Sequence, residues 1–524
     1  MLTLRSYVQG AWVAGTGSSA LLHNPSTEEP LAQAGTAGID FAKTLDHARQ
    51  VGGPALSALT FAARGKLLID ASKALHAQRD ALIGLAIDNG GNTRGDAKFD
   101  IDGAIGTLAA YGELGATLGD TTYLRDRDGV QPTRSAKLWG EHLWLPRRGV
   151  ALHINAFNFP AWGLAEKAAV AWLAGMPVIT KPATSTAVVA HRIVEILIEK
   201  AILPPGALSL LCGSVGNLID LLGDQDVIAF TGGSDTARML RRHDAVIDRG
   251  VRINVEADSL NAAVLGPDGE SGSEVYDLFL ADVVKDITQK TGQKCTAVRR
   301  IFVPASRLID VSTDLCDRLS GCRLGNPRDE SVTMGPVATR AQLDAVRAGI
   351  ARLAAAADTH ILIGGADPVA DQGRGYFVSP TLLQCRTPHA IDATPLHTHE
   401  VFGPVATIMP YDDGTALGQL IARGGGGLVA SVYSDDRKLV PQLVHAIGPY
   451  HGRIFLGSAR LSGQSPGPGT VLPTLNHGGP GRAGDGHELG GVRGLEFYMQ
   501  RCAVMGYKPT VEGLLPTAAA AAKA

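Results

Sequence analysis

Apolar residues recur at helical spacing between residues 61 and 120, as in Leu67-Leu68-Ile69 through Leu75 and then Leu82-Ile83 to Ile87, with a break at Asn89-Gly90-Gly91-Asn92. This predicts two or more surface-packed helices. From 148 to 260 the pattern changes to short β-rich runs separated by Ala-rich helical stretches. The runs are Val150 to Ile154, Val178-Ile179-Thr180, Leu208 to Leu211, Val227 to Phe230 and Val251 to Val255; the helices between them fall at 163–174, 185–200, near 215–222, and 234–243. Five strands alternating with helices predict a doubly wound parallel sheet. A second alternation runs from 262 to about 446, with strand candidates at Ala262-Ala263-Val264-Leu265, Arg300 to Val303, Ile361-Leu362-Ile363 and Ala430-Ser431-Val432-Tyr433. It predicts a second α/β domain. Lys137 to Pro146 alternates polar and apolar residues and reads as a strand of an antiparallel ribbon, whose open edge another subunit could cover.

At 524 residues the chain is too long for one ordinary core, and 45% hydrophobic against 19% charged residues with a net charge of -3 describes a globular protein without a field for polyanions. Nucleic acid is not an expected partner. The six cysteines are scattered without a CxxC pair and read as reduced thiols in a cytoplasm. No apolar run approaches the ~20 residues of a membrane span, and the start from Met1 to Val8 lacks the apolar core of a signal peptide. The Gly-rich stretch from Gly478 to Gly494 reads as an ordered loop or irregular crossover, with flexible surface as the alternative. No role is assigned to the alanine-rich tail from Thr517 to Ala524.

Three groups suit attack on an aldehyde: a thiol nucleophile, an amide to hold the oxyanion and a carboxylate to activate water. Cys295 lies in Thr291-Gly292-Gln293-Lys294-Cys295-Thr296, where glycine and polar neighbours let a backbone approach substrate, whereas Cys212 in Leu210-Leu211-Cys212-Gly213 fits a small buried hydrophobe. Glu256 ends an apolar strand, the edge where open α/β sheets bind ligands; a salt-bridged strand end is the alternative. Asn158 could serve the oxyanion or cap the helix beginning near Pro160. The run Val227 to Asp235 reads as strand, Gly-rich turn and helix start, a place for phosphate. His397, His399 and Glu400 have no second ligand cluster in the sequence, and no metal is expected.

Six ordered segments together resemble the aldehyde dehydrogenase superfamily over almost the whole chain: Asn158-Phe159-Pro160, Thr180-Lys181-Pro182-Ala183, Phe230-Thr231-Gly232, Glu256, Gly292-Gln293-Lys294-Cys295 and Glu400-Val401-Phe402-Gly403-Pro404. The resemblance implies the α/β aldehyde dehydrogenase fold: two doubly wound Rossmann-like domains plus a β-ribbon oligomerisation element that joins a homodimer. Residues 1–125 and 148–261, with part of 447–470, would bind the dinucleotide. Residues 262–446 would form the catalytic domain, 126–147 and 471–510 the ribbon and C-terminal segment, and 511–524 the tail. It further implies Cys295 as nucleophile, Glu256 as base and Asn158 in the oxyanion hole. Lys181 would meet the adenosine ribose, Glu400 the nicotinamide ribose and Phe402 the nicotinamide ring, with Thr184, Phe230, Thr231, Gly232 and Ser234 completing the cofactor set.

The segments His477 to Gly484, Glu488 to Gly494 and Tyr498 to Arg501 resemble a narrower branch of that family. It contains the dehydrogenase part of phenylacetate ring-opening proteins and the 3,4-dehydroadipyl-CoA semialdehyde dehydrogenases of aerobic benzoate breakdown. Ring-opening proteins carry a further hydratase domain, so the stand-alone type with a CoA-linked aldehyde is expected. Two departures stand out. Ala257-Asp258-Ser259-Leu260 replaces the family's frequent Leu-Gly-Gly-Lys after the base, and Thr184 stands where NAD-using relatives commonly carry Glu. Without that carboxylate a 2′-phosphate meets no Coulomb penalty, so NADP is expected, with NAD possible.

Overall fold

The structure is a computed structural model that describes residues 1–126, 129–369, 373–461 and 463–513. The five runs between 148 and 260 form the predicted sheet. In space the order is Arg252–Glu256, Val227–Thr231, Ala151–Ile154, Val178–Lys181 and Leu208–Leu210, all parallel. An N-terminal hairpin, Ser6–Val8 with Ala11–Val13, extends it antiparallel. Three of the expected helices appear as Trp162–Ala174, Ala187–Glu199 and Ser234–Arg241. The fourth is only a short 3₁₀ turn, Leu218–Leu221, because glycines on both sides break the pattern.

The helical spacing between 61 and 120 resolves into Phe61–Ala77, Arg79–Gly90 and Arg94–Leu118. Thr60 and Thr93 cap the first and third through their side chains, and the predicted break is a left-handed turn at Gly91. The helix Trp162–Ala174 is buried throughout, with Trp172 Nε1 donating 3.0 Å to the Ala207 carbonyl.

A second sheet has seven strands, of which the sequence picked out four. Its order is Thr359–Ile363, Thr381–Cys385, Val405–Tyr411, Arg300–Pro304, Ala262–Leu265, Gly427–Tyr433 and His451–Gly457, parallel except at the first pair. The three missed strands carry Gln384, Pro410 or Arg453 inside them, which interrupts the apolar run. Within 447–470, part of which was expected in the dinucleotide-binding domain, His451–Gly457 pairs with Gly427–Tyr433 in the second sheet.

The ribbon strand is Leu138–Pro146, paired antiparallel along its length with Met499–Tyr507 and flanked by Leu124–Arg125. The Gly-rich stretch is ordered, built around a small pairing of Asn476–His477 with Glu488–Leu489. It packs on the first sheet's edge strand: Gly484 has φ +109, and a Cβ there would come within 2.2 Å of the Val255 carbonyl. The alanine-rich tail lies outside the described residues. Among the described residues no helix is long and apolar enough to cross a membrane.

Candidate active site

Cys295 follows a distorted turn, Gln289–Gly292, in which Lys290, Thr291 and Gly292 all have left-handed backbone, with φ of 53, 55 and 66°. Two of these are not glycine, so the surroundings must hold the strain. Thr291 Oγ1 donates 2.9 Å to the Gly335 carbonyl, and Arg299 donates to the carbonyls of Gly292 and Lys294 at 2.9 and 3.2 Å. Gly292 leaves no room for a side chain, since a Cβ would lie 2.1 Å from the Gly403 carbonyl. Buried Asn261 then fixes the nucleophile's own backbone, donating to the carbonyls of Cys295 and Ala297 at 2.7 and 2.8 Å.

Glu256 stands at the carboxyl end of its strand, buried, with Thr231 Oγ1 donating 3.3 Å to Oε2. His477 Nε2 lies 3.2 Å from Glu256 Oε1 and 3.8 Å from Cys295 Sγ. The shorter contact is at ion-pair distance, and among the described residues no geometric hydrogen bond reaches Oε1. Burial pushes the Glu256 pKa up, but the His477 imidazole and the Lys167 ammonium outweigh burial and hold the carboxyl below its usual range. His477 moves the other way: burial lowers it, and the Glu256 carboxylate more than offsets that. The Cys295 thiol is pushed up, first by burial and then by Glu256.

Behind Glu256 lies a buried charge cluster. Lys167 Nζ stands 3.2 Å from Glu166 Oε1 and 3.2 Å from Glu488 Oε2, and Asn254 donates 3.1 Å to Glu488 Oε1. Burial raises the Glu488 carboxyl to about 7. His477, Lys167, Glu166 and Glu488 were not singled out from the sequence. Adjacent charges at Glu166-Lys167 in an otherwise apolar helix were the available signal, because buried charges need partners.

Asn158 is buried, and its amide donates 3.0 Å to the Gln293 carbonyl, which leaves a second N–H for another acceptor. It does not cap the following helix, whose N-cap is Ala161. Two cavities meet at Asn158, Glu256 and Cys295. One is a crevice of about 490 Å³ that also includes Lys181, Phe230, Thr231, Gly232, Glu400 and Phe402 in its wall. The other is a tight pocket of about 30 Å³ walled by Phe99, Phe159, Trp162, Val471 and His477.

The remaining expected cofactor residues fall elsewhere. Thr184 lines a neighbouring hollow of about 600 Å³, which Lys181 also lines. Ser234 is off the crevice wall, and its N–H donates 3.1 Å to Asp258 Oδ1, so that helix start is already occupied by an acid. Glu400 accepts from the Ser259 N–H at 3.0 Å and from Arg299 at 3.3 Å, while burial raises it to about 7. The Phe402 ring meets Phe157 edge-on at 5.8 Å. A long crevice from the thiol to Lys181, which has no carboxylate within ion-pair distance among the described residues, suits a dinucleotide. His397 is buried on the Pro388 carbonyl, apart from such chemistry. Glu256, Cys295 and His477 place side-chain N, O and S atoms within 4.8 Å of one another.

A profile of the aldehyde dehydrogenase family matches residues 12–504. The chain belongs to the aldehyde dehydrogenase family. This aldehyde dehydrogenase is 44% identical over 483 residues to the 3,4-dehydroadipyl-CoA semialdehyde dehydrogenase of Aromatoleum evansii, covering 91% of this chain and 93% of that one. It is 26% identical over 504 residues to a non-phosphorylating aspartate-semialdehyde dehydrogenase of Halomonas elongata, covering 94% of each. Its fold matches a betaine aldehyde dehydrogenase of Staphylococcus aureus in complex with NAD+, with a TM-score of 0.83 at 22% identity over 96% of this chain and 95% of that one. Two Rossmann-like domains with a β-ribbon and NAD(P)-dependent aldehyde oxidation are therefore properties of this aldehyde dehydrogenase.

Proposed function

We propose that this enzyme oxidises a CoA-linked semialdehyde, of the 3,4-dehydroadipyl-CoA semialdehyde type, to its carboxylic acid in aromatic degradation, with NADP as the preferred cofactor. The observation that carries the chemistry is the meeting of two cavities at one thiol, one amide and one carboxylate. The CoA-linked substrate is supported by the likeness to the Aromatoleum evansii enzyme. When bound, NADP supplies the hydride acceptor. Lys181 with Thr184 would hold its adenosine end, Glu400 and Phe402 its nicotinamide end, and Phe230, Thr231 and Gly232 the crevice wall between.

Cys295 attacks the aldehyde carbon, and the free N–H of Asn158, with the Cys295 backbone N–H, holds the alkoxide that develops. Loss of hydride leaves a thioester on sulfur. Glu256, ionised across the neutral range, orients and deprotonates the water that releases the acid. A buried carboxylate beside the thioester favours hydrolysis over transfer to free CoA. The long ribbon edge of Met499–Tyr507, with Met505 67% exposed, supports a homodimer, which sedimentation velocity tests.

Steady-state rates with CoA-linked semialdehydes and free aliphatic aldehydes, using NADP and NAD in turn, test the reading. The expected result is a higher kcat/KM for the CoA-linked substrate with NADP, and acid formed without added CoA. Equal rates on free aldehydes refute the substrate class, and a requirement for CoA refutes hydrolysis.

A further inference from the structure

Cys295 and Glu256 are two acids in one buried pocket, and the reaction needs both as anions. With their ligand atoms within 4.8 Å, a thiolate and a carboxylate repel unless a cation stands between them. Lys167 is committed to Glu166 and Glu488 at 3.2 Å each. Arg453 acts on Cys295 electrostatically, but among the described residues no hydrogen bond or ion pair joins its guanidinium, which donates 2.9 Å to the Pro468 carbonyl, to Cys295 or Glu256. Among the described residues one cationic side-chain atom reaches both acids: His477 Nε2, at 3.2 Å from Glu256 Oε1 and 3.8 Å from Cys295 Sγ. The residue is 4% exposed, and its strand pairing with Glu488–Leu489 fixes its backbone.

We propose that His477 is a further catalytic residue, which accepts the Cys295 proton and then stands as the cation between thiolate and carboxylate. The Sγ–H bond breaks with its electron pair left on sulfur, and the Nε2 lone pair forms the new N–H. That single N–H then faces both anions. No electron changes hands, and the proton stays on the imidazole while Cys295 attacks, so Glu256 remains free to take a proton from water later. The groups that set the imidazole's proton affinity are Glu256 and Cys295 in contact, with Glu166, Glu488, Lys167 and Arg453 around them.

The proposal rests on the reading of Cys295 as nucleophile, and the test separates the two. Iodoacetamide alkylation of the full-length protein is followed from about pH 5 to about pH 10, with the adduct located by peptide mass spectrometry and NADP affinity measured in parallel. In His477→Gln the inflection is expected to rise by about one unit or more. Reactivity at neutral pH then falls on the order of tenfold, while the alkaline plateau and NADP affinity are kept. In Glu256→Gln, where a neighbouring anion is removed and His477 remains, the inflection should fall. An unchanged inflection in His477→Gln overturns the proposal, as does a uniform loss at every pH, which marks a mere pocket wall. A rise in Glu256→Gln overturns it too, by making the carboxylate the thiol's proton acceptor. An adduct missing from Cys295 in the unaltered protein would refute the nucleophile itself.

Discussion

Replacing Asn261 by alanine removes a side chain that joins three parts of the site. Its Nδ2 donates to the carbonyls of Cys295 and Ala297 at 2.7 and 2.8 Å, and its Oδ1 accepts from the Val429 N–H at 2.9 Å and Ser259 Oγ at 2.6 Å. Asn261 is 1% exposed, so water cannot easily replace it. All four groups lose the asparagine partner in a dry setting, although Ser259 Oγ still accepts from the Leu428 N–H at 2.9 Å. An unsatisfied buried group costs ~1–3 kcal/mol, which places the loss at about 3–5 kcal/mol once local relaxation is allowed. Asn261→Asp keeps the acceptor and loses both donors, setting an acid against two carbonyl oxygens, and should destabilise by a similar amount. Urea unfolding followed by tryptophan fluorescence measures the change, and turnover under conditions where the variant is folded reports the loosened nucleophile. A loss below about 1 kcal/mol would refute the idea that this side chain anchors the Cys295 loop.

Asn158→Ala should lower kcat by roughly 100- to 1000-fold with little change in NADP affinity, as for loss of one oxyanion donor, and stopped-flow hydride transfer would locate the loss. Thr184→Glu should cut kcat/KM for NADP by at least about tenfold and spare NAD, because a carboxylate would repel the 2′-phosphate; unchanged preference would sink the cofactor assignment. Burial lowers His397 to about 3 and His451 to about 4, so both are neutral when folded and protonate on unfolding. Their contribution is complete above the unfolded value near pH 6.5 and is withdrawn as pH falls from there towards about 4, by ~1.4 kcal/mol per pH unit for each histidine. His451→Asn should flatten the slope of unfolding free energy against pH in that window.

The five parallel strands of the first sheet were legible because each is a short apolar run beside helices, the mark of a sheet covered on both faces, whereas the N-terminal hairpin that extends it was not. The second was half legible. Gln384, Pro410 and Arg453 sit in strands whose partners lie far off in sequence, and only pairing identifies them. Local sequence left Glu256 and Asn158 with structural alternatives, and the structure places both in the wall of one crevice with Cys295. His477, just before the glycine-rich stretch, and Glu488, within it, marked a branch of the family but carried no local sign of where they would pack. The glycines of that stretch serve close approach to the Val255 backbone, a tertiary requirement without a period to read.

That crossover makes the centre late to assemble during synthesis. Both Rossmann sheets are complete by Gly457, yet the imidazole beside the thiol arrives only with His477 and the carboxylate behind it only with Glu488. A nascent chain would thus carry its sulfur in an unfinished setting until the segment from His477 to Glu488 has left the ribosome. A single proteolytic nick between those two residues would silence the mature enzyme while both sheets remained standing.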